Sequence, residues 1–222
     1  MHIASYIDHT LLKATVSIPE VEKLCSEAGE YGFAAVCIPP PFVKRCKNIL
    51  GPTNIKVATV IGFPFGYAAT ESKMAETVLA LVDQVDELDV VINLIALRMN
   101  DWTYLENEVK LLTNVIHQNN KVIKVIIESG ILSGNEIIQC CETFGNLKVD
   151  FIKTSTGYAE NGASIETVQL IKENLPPGVR IKASGGIKTL KFAKQLIAAG
   201  AQRLGSSSGV AIMKEEAASN DQ

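Results

Sequence analysis

Asp150-Phe-Ile-Lys-Thr-Ser-Thr-Gly157 reads as a short apolar strand that runs into a glycine turn. Ser164 then caps a helix whose apolar face is Val168, Ile171 and Leu175, and Pro176 and Pro177 stop it. Arg180-Ile-Lys-Ala-Ser184 follows as another strand, ending in Gly185-Gly186. A strand, a glycine turn, a capped helix and a second strand form one βαβ unit, and such units build parallel sheets with helices outside.

The same unit recurs in both directions from this point. Upstream, strands are expected at Tyr6–His9, Phe33–Ile38, Lys56–Ile61, Leu88–Asn93 and Val122–Glu128. Downstream, Gln202–Gly205 is a last strand and 208–214 a last short helix. Between them lie helical patterns, among them one from about Glu71 to Val85 with Met74, Val78, Leu81 and Val85 on its apolar face. Eight strands alternating with helices predict an α/β fold, a single-domain (β/α)8 TIM barrel over 1–216 with a polar tail at 217–222. An open dinucleotide-binding sheet is the rival, and it would want a G-x-G-x-x-G turn after an early strand, which is absent.

Composition narrows the class. The 222 residues are 47% hydrophobic and 20% charged, with a net charge of −3. That is ordinary for a globular chain and gives no basic excess to follow a nucleic-acid backbone. No apolar run approaches the roughly 20 residues that cross a bilayer, and the opening Met1-His-Ile-Ala-Ser-Tyr6 lacks the features of a secretory signal, so no membrane association is expected. The five cysteines, Cys25, Cys37, Cys46, Cys140 and Cys141, have no C-x-x-C spacing and read as reduced thiols of a cytoplasmic protein. The three histidines are scattered, so no metal site is expected.

Barrel active sites sit at the C-terminal ends of the strands, so polar residues within apolar strands are the ones to examine. Asp89, Lys153 and Lys182 stand out. A lysine in such a strand either faces solvent or is held inside, where burial disfavours its ammonium form. Side chains alternate along a strand, so all three can face the barrel interior, with the lysines on neighbouring strands six and seven. A neutral amine beside a cationic one is a nucleophile suited to imine formation, and Asp89 can move protons with the second lysine. The alternative is a buried ion pair that only fills the barrel.

Glycines cluster where the last three strands end: Gly157, Gly185 with Gly186, and Gly205 followed by Ser206 and Ser207. Loops after strands seven and eight often hold phosphate in barrels, because glycine lets backbone N–H groups approach an anion. A small phosphorylated substrate is therefore expected. Gly205-Ser-Ser-Ser-Gly209 also fits the G-x-S-x-G elbow of hydrolases, but His2, His9 and His117 all precede it, where that order needs a later histidine.

Taken with Ile7-Asp-His-Thr-Leu-Leu-Lys13, Val60–Gly66, Glu87–Asn93, Lys153–Gly157, Lys182–Ile187 and Gly205–Gly209, the chain resembles the deoxyribose-phosphate aldolase family, metal-independent class I aldolases. The resemblance spans nearly the whole chain. It implies cleavage of 2-deoxy-D-ribose 5-phosphate to D-glyceraldehyde 3-phosphate and acetaldehyde, with no cofactor. It implies Lys153 as the Schiff-base lysine, Lys182 as the lysine that tunes it, and Asp89 as the acid/base carboxylate. Asp8 would support Lys182, and Gly157, Gly185, Gly186, Gly205, Ser206 and Ser207 would hold the phosphate. A homodimer is a family expectation. The chain departs from many family members by carrying Tyr158 where they have lysine, which shifts weight in phosphate binding to backbone N–H groups and Lys188, and no tyrosine follows Tyr158 to serve as a catalytic tail.

Overall fold

A computed structural model describes residues 2–220. Eight parallel strands close into a barrel in sequence order: β1 (Ile7–Thr10), β2 (Ala35–Ile38), β3 (Lys56–Ile61), β4 (Glu87–Val91), β5 (Val122–Ile126), β6 (Phe151–Lys153), β7 (Arg180–Ser184) and β8 (Arg203–Ser206). β1 pairs with both β2 and β8, so the sheet has no free edge. Each strand is short and almost wholly buried, as parallel strands covered on both sides must be.

Helices α1 (Ile18–Tyr31), α2 (Val43–Leu50), α3 (Thr70–Val82), α4 (Leu94–Arg98), α5 (Trp102–Gln118), α6 (Gly134–Asn146), α7 (Ile165–Asn174), α8 (Leu190–Ala199) and α9 (Gly209–Asn220) form the outer layer. Their starts follow local chemistry. Ser133 and Glu136 form a reciprocal capping box at α6, and the hydroxyl of Thr189 accepts the N–H of Phe192 at α8. The last helix runs on to Asn220 rather than ending at Lys214, and 221–222 of the expected tail lie outside the described residues.

The main core lies between barrel and helices, with Val36, Leu88, Ile123, Ile152 and Leu204 facing α-helical side chains such as Leu24, Leu112, Phe144 and Leu196. α3 follows the expected pattern in part: Met74 and Leu81 pack against the core and Val85 is buried, but Val78 is exposed. Its buried residues are Lys73, Thr77 and Ala80, while Val78, Leu79 and Val82 are exposed. The reason is an ion pair between Lys73 and Glu108 of α5, at 2.9 Å and wholly buried. Lys73 Nζ also donates to the carbonyl of Val91, and Glu108 accepts the N–H of Asn93. The polar groups thus satisfy one another inside, and the buried face of α3 extends one position past Met74 and Leu81 to take in Lys73, Thr77 and Ala80.

Candidate active site

Inside the barrel, alternation divides the strand residues cleanly. Ile152 faces the helices, while Phe151 and Lys153 face inward. Lys153 and Lys182 are direct register partners across β6 and β7, and Asp89 partners Lys124 across β4 and β5. Neighbours in a parallel pair project to the same side, so these four side chains converge.

Asp89 is the hub. Its Oδ2 accepts from Lys153 Nζ at 2.8 Å and from Lys182 Nζ at 2.7 Å, and its Oδ1 accepts from Lys124 Nζ at 2.8 Å. Lys182 also donates to Asp8. Below them Arg203 donates to Asp8 and to Glu87, and Lys124 pairs with Glu87 at 2.6 Å. One connected network therefore places four basic side chains, Lys124, Lys153, Lys182 and Arg203, on three carboxylates, Asp8, Glu87 and Asp89. The opposite side of the interior is small and apolar, formed by Cys37, Ala58 and Val60 under Leu12 and Phe63.

The bases differ in how firmly they hold a proton. Burial pulls Lys153 below the ordinary lysine range; Asp89 opposes this, and the Lys182 ammonium adds to it. Lys182 is buried just as deeply, but Asp8 and Asp89 outweigh the burial and raise it. Lys124 is raised likewise by Asp89 and Glu87 against its burial. Asp8 and Asp89 stay ionised well below the usual carboxylate range, since adjacent cations overcome desolvation. Among the four bases, Lys153 is the one pushed toward the free amine. Both effects expected from the sequence act here: burial is the larger and the cationic neighbour assists. Cys37 Sγ lies 3.9 Å from Asp89 Oδ2, and burial pushes its thiol up, which leaves it a poor thiolate nucleophile.

Above Lys153 a cleft of about 400 Å³ opens at the C-terminal ends of the strands. Gly157, Gly185, Gly186, Gly205, Ser206 and Ser207 all line it, together with Lys188 and Tyr158. Gly185 and Gly186 have φ of +89° and +78°, a left-handed backbone that side chains resist. Gly205 has a different reason to lack a side chain: a Cβ there would lie 2.9 Å from Ser184 Cβ and 3.2 Å from Lys182 Cε. The Ser206 hydroxyl is engaged within its own loop, donating to the carbonyl of Ile187 and accepting the N–H of Ser208. Ser207 is exposed to the cleft.

Several members of the site were not singled out from the sequence. Lys124 sits between Ile123 and Val125 just as Lys153 sits between Ile152 and Thr154, so the same signal, a charge within an apolar strand, was available. Glu87 follows from alternation two residues before Asp89. Arg203 and Lys13, which also lines the cleft, gave no comparable signal.

The arrangement can form an imine: it holds a lysine amine with depressed basicity, a carboxylate and a second lysine within proton-transfer reach, and an anion-sized set of glycine loops above them. Comparison with known proteins agrees in kind. Residues 2–215 match the model of the DeoC/LacD family aldolases. The chain is 43% identical over 215 residues to the deoxyribose-phosphate aldolase of Caldicellulosiruptor saccharolyticus, covering 96% of this chain and 98% of that one. The solved aldolase QR15 superposes with a TM-score of 0.93 at 38% identity, covering 98% of this chain and 97% of its own. The tetrameric deoxyribose phosphate aldolase of Aeropyrum pernix gives a TM-score of 0.90 at 30% identity, with 97% and 91% covered. This chain belongs to the DeoC/LacD family of aldolases.

Proposed function

We propose that the protein is a deoxyribose-phosphate aldolase, a lyase that reversibly cleaves 2-deoxy-D-ribose 5-phosphate, with Lys153 as the Schiff-base nucleophile. The observation that carries this reading is Asp89 Oδ2 shared between Lys153 and Lys182 at the base of a glycine-lined cleft.

The neutral amine of Lys153 adds to the C1 aldehyde of the open-chain sugar phosphate. The resulting carbinolamine loses water and leaves an iminium. The C3 hydroxyl then gives up its proton to Asp89, with Lys182 or a water as intermediary, as the C2–C3 bond breaks. Its electron pair moves into the iminium and produces an enamine on Lys153, while C3 becomes the aldehyde of D-glyceraldehyde 3-phosphate. Protonation of the enamine at C2 regenerates an iminium, and hydrolysis releases acetaldehyde and the free amine. Every group is retained or returned, so the cycle runs in both directions.

The phosphate end is assigned to the backbone N–H groups around Gly186 and Ser207, with Lys188 as the nearby cation. Gly157, Gly185, Gly205 and Ser206 shape those loops, and Asp8 holds Lys182. Two further features belong to the same reading. The exposed α3 residues Val78, Leu79 and Val82 offer an apolar face for a homodimer, which sedimentation would detect as a mass above that of one chain. All five cysteines are unpaired and buried, which suits a reducing cytoplasm.

The decisive experiment is borohydride reduction in the presence of acetaldehyde, followed by peptide mass mapping. The expected product is one ethyl adduct on Lys153. An adduct elsewhere on active protein would remove Lys153 from the mechanism.

A further inference from the structure

Tyr158 follows the glycine that ends the β6 segment, and its side chain leaves that loop to cross the mouth of the barrel. Its hydroxyl donates to the carbonyl of Leu12, in the loop after β1, at 2.9 Å. Its ring meets Phe63, in the loop after β3, edge to face with centroids 5.4 Å apart. Its backbone N–H donates to Thr156 Oγ1 at 3.1 Å, and that hydroxyl in turn donates to the buried carboxylate of Glu128 at the end of β5.

The topology makes these contacts informative. β6 neighbours only β5 and β7, and β1 neighbours only β2 and β8. A contact between the loops after β6 and β1 therefore spans the two strands, β7 and β8, whose ends carry the glycine loops. Tyr158 and Leu12 line one wall of the cleft and Gly186 and Ser207 line another, with Lys153 at the base. A substrate fixed at Lys153 by its carbonyl carbon and at the glycine loops by its phosphate must pass along this wall. The wall is held at its root by the Glu128–Thr156 contact and at its tip by the Leu12 carbonyl. It is also half in solvent, with Tyr158 52% exposed, so it is a boundary of the cleft rather than a piece of the core.

We propose that Tyr158 is a specificity-determining residue, a strap across the barrel mouth that limits the length of phosphorylated aldehyde the cleft accepts. The proposal rests on the aldolase reading above. Its chemistry is steric: an aromatic wall pinned at both ends excludes an acceptor with a carbon chain longer than the three carbons of D-glyceraldehyde 3-phosphate.

The test runs the reaction in the synthetic direction with acetaldehyde as donor. It compares kcat/KM for D-glyceraldehyde 3-phosphate with that for D-erythrose 4-phosphate, one carbon longer. In Tyr158→Ala the ratio should move toward the longer acceptor by about tenfold or more, the scale on which a pocket discriminates one carbon. In Tyr158→Phe, which keeps the ring and loses only the Leu12 bond, a smaller shift in the same direction is expected. A ratio unchanged in both variants, or an equal loss on both acceptors, overturns the proposal. Borohydride trapping of acetaldehyde on Lys153 is measured alongside. Its absence in the parent protein would overturn the aldolase reading instead, whereas an intact Lys153 adduct with an unmoved ratio would count against the strap alone.

Discussion

Replacing Lys182 by leucine tests the electrostatics of the site most directly. The Lys153 and Lys182 ammonium nitrogens both lie on Asp89 Oδ2, at 2.8 and 2.7 Å, so they are at most about 5.5 Å apart. At an effective dielectric of about 20, two unit charges at that distance repel by roughly 3 kcal/mol. That is on the order of a hundredfold in the fraction of Lys153 present as free amine. The variant also frees Asp89 Oδ2 to act on Lys153 alone, which adds to the effect in the same direction. The sign is fixed: Lys153 is held below its ordinary range, so losing the neighbouring cation raises it, and the free amine appears only at higher pH. The fold should survive, because Asp8 keeps Arg203 and Asp89 keeps Lys124. The assay is the pH dependence of kcat/KM together with the rate of acetaldehyde trapping. Activity near neutral pH should fall by about two orders of magnitude and partly return as pH rises. A folded variant whose acidic limb coincides with that of the parent would refute the reasoning.

Other outcomes follow from named contacts. Asp89→Asn removes the negative charge and the proton-accepting carboxylate shared by three lysines and should lower kcat at least about a hundredfold while acetaldehyde still reaches Lys153, as trapping would report. Lys73→Met leaves Glu108 buried without its cation and should cost about 3–5 kcal/mol in urea unfolding, whereas Lys73→Met with Glu108→Leu should cost clearly less. Gly66→Ala should destabilise by at least about 2 kcal/mol, since φ is +69° and a Cβ would meet the Ile92 carbonyl oxygen at 1.8 Å; thermal melting reads it. Gly162→Ala would put a Cβ 2.3 Å from the Gly185 oxygen, so it should raise KM for the sugar phosphate more than it lowers kcat.

The barrel was legible because its strands are short apolar runs at regular intervals, most of them followed by glycine or proline. The central trio was legible for the opposite reason: Asp89, Lys153 and Lys182 are charges within such runs. Lys124, between Ile123 and Val125, carried the same mark. On α3 the apolar spacing holds for Met74, Leu81 and Val85 but fails at Val78, and nothing local to Lys73 announces a partner 35 residues away on α5. Whether Lys153 faced solvent or the interior was open in its strand alone, since burial is a property of the closed barrel. Tyr158 was visible as a departure from the family pattern, but its reach to Leu12 depends on a closure that brings positions 146 residues apart together.

The imbalance of four bases and three acids inside the barrel has a consequence for the chemistry. With Lys153 as a free amine that network is electroneutral, its three remaining cations matched by three anions. If that nitrogen becomes an iminium, as proposed, the network gains a positive charge beyond its three carboxylates, and buried Glu128 at the end of β5 is the further acid that it faces. In the proposed cycle that charge is relieved when the C2–C3 pair becomes the C1–C2 double bond of the enamine and nitrogen takes back the C=N π pair.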